Sequence, residues 1–221
     1  RPKVAIIPTG TTNDFARALD IPRDIEKAVD IIVEGLSMHL DIGKVNDQYF
    51  INIAGGGELT ELTYDVPIKL KTVLGQLAYY IKGIEMLPFI KPVRTRIEYD
   101  GEVMEEDIML FLASNSNSVG GFEKLAPDAK INDGYFDLLI LRKTSLPEFI
   151  RIATLALRGA HLEDPHVIYV QAKHIKVEPL EKMQLNIDGE YGGLLPGEFW
   201  NLKEHIEFIV PEEFIKEYEE D

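Results

Sequence analysis

Apolar and polar positions along the chain change period several times, and each change predicts a different element. Val4-Ala5-Ile6-Ile7 is a short continuous apolar run, the pattern of a strand covered on both faces. It leads through Pro8-Thr9-Gly10-Thr11-Thr12-Asn13-Asp14 into Phe15-Ala16-Arg17-Ala18-Leu19, which reads as strand, small polar loop, helix. Thr12 or Asn13 can cap that helix, and Pro22 ends it. Asp24 caps a second helix over 25–35, with Ile25, Ala28, Val29, Ile32 and Val33 on one face and Gly35 closing it. From Met38 the pattern shortens to alternation, which predicts strands over 39–45 and 49–54 around an Asn46-Asp47 hairpin turn.

Gly55-Gly56-Gly57 follows, a run that permits close backbone approach or positive φ. Lys71 to Leu87 has helical spacing, with Val73, Leu77, Tyr80, Ile84 and Leu87 as its buried stripe and Pro88 as its stop. Strands return over 94–99, around an Asp100-Gly101 hairpin, and over 108–113. Ser114 to Phe122 is a long polar loop of the kind that often carries function. A strand at 138–141 precedes a helix over 146–157 capped by Thr144 or Ser145. Strands at 167–171, 173–178, 183–187 and 205–209 and an acidic helical tail from Glu212 complete the pattern. The predicted class is α+β: a mainly antiparallel β-sandwich over 38–221 with a few helices, preceded over 1–37 by a strand-helix-helix remnant of an α/β nucleotide-binding domain. The Val4–Ile7 strand has nothing before it to pair with, so the chain is expected to be part of a longer protein.

Composition changes this picture little, but charge changes it more. The 221 residues include no cysteine, which removes disulfides and thiolate metal sites. The net charge of −15 argues against a nucleic-acid binder. The charge is uneven: Lys69, Lys71, Lys82, Lys91, Arg94 and Arg96 face one acid, Glu85, between Pro67 and Ile97. That basic stretch on an acidic protein suits an anionic membrane surface or a phosphorylated substrate. No apolar run approaches the roughly 20 residues needed to cross a bilayer. The five histidines show no ligand spacing, so zinc chemistry is not expected.

The candidate chemistry gathers in Ile187-Asp188-Gly189-Glu190. Two carboxylates one residue apart would share a side of an extended backbone, yet Asp-Gly is also an ordinary hairpin turn with solvated acids. Both readings stand on the residues alone. Similarly, the Gly10 loop could receive a phosphate or simply start a capped helix.

Five motifs in order resolve part of this. Pro8-Thr9-Gly10-Thr11-Thr12-Asn13-Asp14-Phe15-Ala16-Arg17 resembles the G-T-x-N-D-F-A-R signature of soluble bacterial diacylglycerol kinases and related lipid kinases. Asn52 to Gly57, Gly120-Gly121-Phe122 with Ala126-Pro127, Asn132-Asp133-Gly134 and Ile187 to Glu190 match the same family in sequence. The family's Gly-Gly-Asp-Gly-Thr stretch, which holds the nucleotide phosphates, is absent from this chain. The resemblance implies an ATP- and Mg²⁺-dependent lipid kinase of the cytoplasm, peripherally associated with the inner face of the membrane. Its acceptor would be diacylglycerol, with a sphingoid base or another lipid alcohol as the alternative, and a non-catalytic lipid-binding module as a third reading. Asp188 matches the general base and Glu190 a partner acid. Thr11 matches a nucleotide contact, with Gly10 and Asn13 in the same loop. Arg17 and Lys82 match substrate-binding basic residues. Asp133 matches a Mg²⁺ ligand beside the carbonyls of Lys130 and Tyr135, and Asp41 an acid connecting that metal toward the active site. The 71–87 helix and the 87–90 corner are expected to face the membrane, the 221 residues alone are expected to be inactive, and an exposed sheet edge invites a homodimer.

Overall fold

The computed structural model describes residues 2–10, 12–57, 91–119, 122 and 124–220. Thr11, the 71–87 helix with Lys82, and the 87–90 corner lie outside these residues. Within them, the alternating segments become twelve strands: β1 Lys3–Val4, β2 Leu36–Val45, β3 Gln48–Phe50, β4 Ile53–Gly56, β5 Val93–Tyr99, β6 Glu102–Ser114, β7 Phe136–Arg142, β8 Val167–Ala172, β9 His174–Pro179, β10 Gln184–Ile187, β11 Glu190–Leu194 and β12 Gly197–Val210. The helices are α1 Asp14–Ala18, α2 Ile25–Glu34, α3 Leu146–Ala156 and α4 Glu212–Glu220.

Two long strands make the sandwich. β6 pairs with β5 through its first half and with β4 and β7 through its second. β12 pairs with β9 from Gly197 to Trp200 and continues along β2, with a bulge between Leu202 and Ile206. Strands that serve both layers join them into one hydrogen-bonded network folded face to face. Ring contacts cross between the layers. Phe50 of β3 stacks on Phe136 of β7 at 5.5 Å, and Phe111 of β6 meets Phe199 of β12 edge-on at 5.8 Å. All four rings are fully buried, and truncating one to alanine would cost about 3–5 kcal/mol.

A second core fastens the first 35 residues to this sandwich. Ala16, Leu19, Ile21 and Ala28 pack with Leu40, Phe208, Val210 and Phe214. Here the structure departs from the pattern. The Val4–Ile7 run contributes to only a two-residue strand, β1, and its partner is β12 from the far end of the chain, paired in parallel. Ile7, three residues beyond β1, is exposed, and among the described residues β1 pairs only with β12. α2 starts as expected, with Asp24 Oδ1 accepting from the N–H groups of Glu26 and Lys27 at 3.0 and 3.2 Å. Of its apolar stripe only Ala28 is buried, while Ile25, Val29 and Val33 are exposed. The small Ala28 brings the helix against the core along one line, and the wider stripe turns outward. Among the described residues no helix is long and apolar enough to cross a membrane.

Candidate active site

Ile187 ends β10, Glu190 opens β11, and the two pair across the hairpin. Asp188 and Gly189 between them have φ of 48° and 92°, the signature of a type I′ turn. The backbone is therefore turned, not extended, and the two acids do not share a strand face as their spacing suggests. The hairpin reading and the chemical reading both survive, because this turn has an unusual partner.

The Asp188 carboxylate lies on the backbone of the β3–β4 connection. Its Oδ1 accepts from the N–H groups of Asn52 and Ile53, both at 2.9 Å, and its Oδ2 from that of Ile51 at 2.8 Å. The Asp188 N–H donates back to the Ile53 carbonyl at 2.9 Å. A carboxylate offers about four acceptor directions, so among the described residues one site on Oδ2 is left for an incoming donor. Glu190 is exposed beside it at the start of β11.

Two polar arms run from this turn. In the first, the buried Asn52 side chain donates from Nδ2 to the Ser118 carbonyl at 3.1 Å. The Ser118 hydroxyl donates to Asp14 Oδ1 at 3.0 Å, and Asp14 lies 3.9 Å from Arg17 Nη1 on α1. Arg17 Nη2 in turn donates to the Thr12 carbonyl at 2.9 Å. In the second arm, Asn115 Nδ2 donates to the Ile51 carbonyl at 3.0 Å, and Asn201 Nδ2 bridges Asn115 Oδ1 and the Tyr135 carbonyl at 3.2 and 3.0 Å. Asp188, Arg17 and the 130–135 loop, remote in sequence, are thus joined through side-chain amides and one hydroxyl.

The loop carrying Asp133 is rich in oxygen. Asp133 Oδ1 accepts from Tyr135 N–H at 2.9 Å, and Asp41, almost fully buried, accepts from Gly134 N–H at 2.6 Å and Glu204 N–H at 2.7 Å. Burial pushes both carboxyls up, Asp41 further through repulsion by Asp133, while Lys203 pulls both down. Among the described residues no three His, Cys, Asp or Glu side chains converge to hold an ion. A cation at Asp133 would therefore draw on backbone carbonyls such as those of Lys130 and Tyr135. Hard oxygen donors around under-compensated carboxylates fit Mg²⁺.

At the other end, Asn13 sits in the left-handed region (φ 52°, ψ 43°) before α1, and its side chain does not cap the helix. Gly10 N–H donates to Asn13 Oδ1 at 2.8 Å, and Asn13 Nδ2 donates to the Gly10 carbonyl at 2.9 Å. These two residues shape the loop by satisfying each other, which corrects the expectation of a simple cap. No individual role was expected of Asp14 and Asn52, which lie inside quoted motifs, of Asn115 and Ser118, which lie in the flagged polar loop, or of Asn201. The Ser-Asn-Ser-Asn-Ser composition of 114–118 was the available signal; Asn201 has none.

The site thus sets a hairpin carboxylate of a β-sandwich in one polar network with the short helix α1. Residues 65–212 match the family model of the YegS C-terminal NAD kinase β-sandwich-like domain, and residues 1–45 that of the diacylglycerol kinase catalytic domain. The diacylglycerol kinase of Bacillus subtilis (strain 168) is 64% identical over 214 residues, which cover 96% of this chain and 71% of that protein. That of Staphylococcus carnosus (strain TM300) is 55% identical, with 96% and 70% covered. A solved diacylglycerol kinase structure from Bacillus anthracis str. Sterne superposes with a TM-score of 0.73 at 25% identity, covering 97% of this chain and 69% of that one. The chain belongs to the bacterial diacylglycerol kinase family.

Proposed function

We propose that this chain carries the acceptor side of an ATP-dependent lipid kinase whose acceptor is diacylglycerol and whose product is phosphatidic acid. The observation that carries the reading is the exposed Asp188 carboxylate, held in place by three backbone N–H groups with one acceptor direction on Oδ2 unused among the described residues. The lipid hydroxyl donates there; as its oxygen bonds to the γ-phosphorus and the bond to ADP breaks, the proton passes to Asp188. Positioning of this kind is typically worth about 10²- to 10⁴-fold. Glu190 adds a second negative group at the same mouth and orients the hydroxyl.

Phosphoryl transfer otherwise needs cationic clamps and alignment more than strong bases. Arg17, fixed by Thr12 and Asp14, supplies positive charge on the α1 side, and Lys82 from the basic stretch supplies more. Gly10 and Asn13, bonded to each other on either side of Thr11 in sequence, would serve the nucleotide contact with it. Mg²⁺ held by Asp133 and the Lys130 and Tyr135 carbonyls would supply fixed positive charge to that loop, with Asp41 holding it through Gly134 N–H. Residues 1–37 belong with the nucleotide-binding half and 38–221 with the sandwich. The enzyme works at the inner face of the cytoplasmic membrane, and the phosphates of ATP need the segment of its relatives that this chain does not span.

The test is phosphotransfer from labelled ATP by the chain extended to the length of its relatives, offered diacylglycerol, a sphingoid base and a monoacyl alcohol. Phosphatidic acid should dominate; preference for the sphingoid base, or no transfer to any lipid, would overturn the reading. The 221 residues alone should be inactive. Mg²⁺ should raise the melting temperature of the wild type and leave that of Asp133→Asn unchanged.

A further inference from the structure

β12 bulges where it passes Asp41. Leu202 pairs with Ile42 and Ile206 with Leu40, so Lys203, Glu204 and His205 together stand opposite Asp41 alone. Glu204 takes a left-handed φ of 48°, which a residue with a side chain adopts only where its surroundings hold it. Asp41 is what holds it: its Oδ1 accepts from Glu204 N–H at 2.7 Å, while its Oδ2 accepts from Gly134 N–H at 2.6 Å. Gly134, at φ 86°, has no β-carbon in the way of Lys203; one built there would stand 3.0 Å from Lys203 Cδ and 3.4 Å from its Cβ. Just before the bulge, Asn201 Nδ2 donates to the Tyr135 carbonyl at 3.0 Å. The bulge thus lays the stem of Lys203 against the loop that carries Asp133.

The charge of Lys203 acts differently from other cations of the sheet. Arg94, Arg96 and Lys176 each lie within 4 Å of a carboxylate. Lys203 is exposed and has no such ion pair among the described residues. Its field falls instead on the two acids at the loop. Burial pushes the carboxyls of Asp41 and Asp133 up, and Lys203 pulls both down, acting on Asp133 more strongly than Lys130 does. A divalent ion held by Asp133 with the Lys130 and Tyr135 carbonyls would enter the same field, where it and the ammonium repel.

We propose that Lys203 is the resident counter-cation of this loop, compensating Asp41 and Asp133 while no divalent ion is held and lowering the affinity of the loop for Mg²⁺. One charge then has two effects of opposite sign. It stabilises the metal-free loop, and it opposes the ion that would take over its task. This role of Lys203 rests on the Mg²⁺ reading of the loop. A lysine kept only for its stem would pack over Gly134 in the same way, but loss of its charge would leave Mg²⁺ binding unchanged.

The test is calorimetric titration of the chain, stripped of divalent ions, with MgCl₂ at low ionic strength. Lys203→Met keeps a stem over Gly134 and removes the charge. It should bind Mg²⁺ about 3- to 10-fold more tightly than the wild type, while Lys203→Arg should bind as the wild type does. Raising NaCl to about 1 M should narrow the difference, because exposed charges are screened within about 3 Å there. Without metal, Lys203→Met should melt below the wild type, and added Mg²⁺ should shrink that deficit. Equal or weaker Mg²⁺ binding by Lys203→Met, or an unchanged metal-free melting temperature, would overturn the proposal and leave the Mg²⁺ reading standing. Tighter binding by Lys203→Arg as well would assign the effect to packing and overturn it too. No Mg²⁺ binding by either chain, or binding that survives Asp133→Asn in both, would overturn the Mg²⁺ reading itself and the role of Lys203 with it.

Discussion

The backbone N–H of Asn52 lies 2.9 Å from Oδ1 of Asp188, joining residues 136 positions apart. The same Asn52 reaches through its side chain to Ser118, so one residue fixes the carboxylate and fastens it to the loop that holds α1. The carboxylate's orientation therefore depends on the β3–β4 connection, not on its own hairpin.

Asp188→Asn should separate chemistry from folding. The amide has one acceptor oxygen and presents an NH₂ where backbone donors already point. In the extended chain, kcat for lipid phosphorylation should fall about 10²- to 10⁴-fold, with the KM for ATP nearly unchanged. Steady-state kinetics would check this, and kcat surviving within threefold would remove Asp188 as base.

Asn52→Leu should destabilise the fold as well as the site. It removes the Asn52 partner of both the Ser118 carbonyl and the Ser116 hydroxyl and leaves them only their long 3.3 Å bond to each other. The under-satisfied buried pair should cost about 1–3 kcal/mol in all. Urea unfolding of the variant should show a lower midpoint at constant slope.

Acid stability should depend on Asp164. Burial alone would raise its pKa, but donors from the His166 backbone and ring and the Arg151 guanidinium outweigh burial and hold it below the ordinary 3.8. A depressed carboxyl stabilises the fold fully above the unfolded value and loses that contribution as pH falls through the folded one. The stability gap between wild type and Asp164→Asn should therefore be constant above about pH 5 and shrink below pH 3.8. Chemical unfolding at stepped pH would measure it.

Gly55→Ala should prevent correct pairing of β4. A Cβ there would stand 2.5 Å from the Phe111 carbonyl oxygen, a backbone atom of the neighbouring strand that cannot swing aside. Thermal unfolding should show a drop in melting temperature of about 10 °C or more, beyond that of a surface substitution. An unchanged melting temperature would mean that β4 and β6 can separate without cost.

What was legible from residues was local. The Asp24 cap of α2 and the Asn46-Asp47 and Asp100-Gly101 hairpins form where their patterns stand, because caps and turns are decided within a few residues, whereas the single strand expected over 49–54 is broken into β3 and β4 at the residues that hold Asp188, and β11 was not expected. The ordered motifs likewise pointed to Asp188, Asp133 and Arg17, which the structure links only indirectly, through Asn52, Ser118 and Asp14 on one side and Asn115, Asn201 and Tyr135 on the other. The burial of α2 was not legible: a 3.6-residue stripe shows which face is apolar, not how much of that face a neighbour covers.

By itself, then, the sequence determined the α+β class, most of the sandwich strands and the family, all of which rest on short-range pattern. Only the tertiary structure decided that β1 pairs with β12, that Asp188 is held by the 51–53 backbone, and that Asn115 and Asn201 tie it to the Asp133 loop. The reason is physical: backbone N–H groups are the same at every residue and carry no signature in sequence. A site built from them becomes visible only when long-range pairing brings them to one carboxylate.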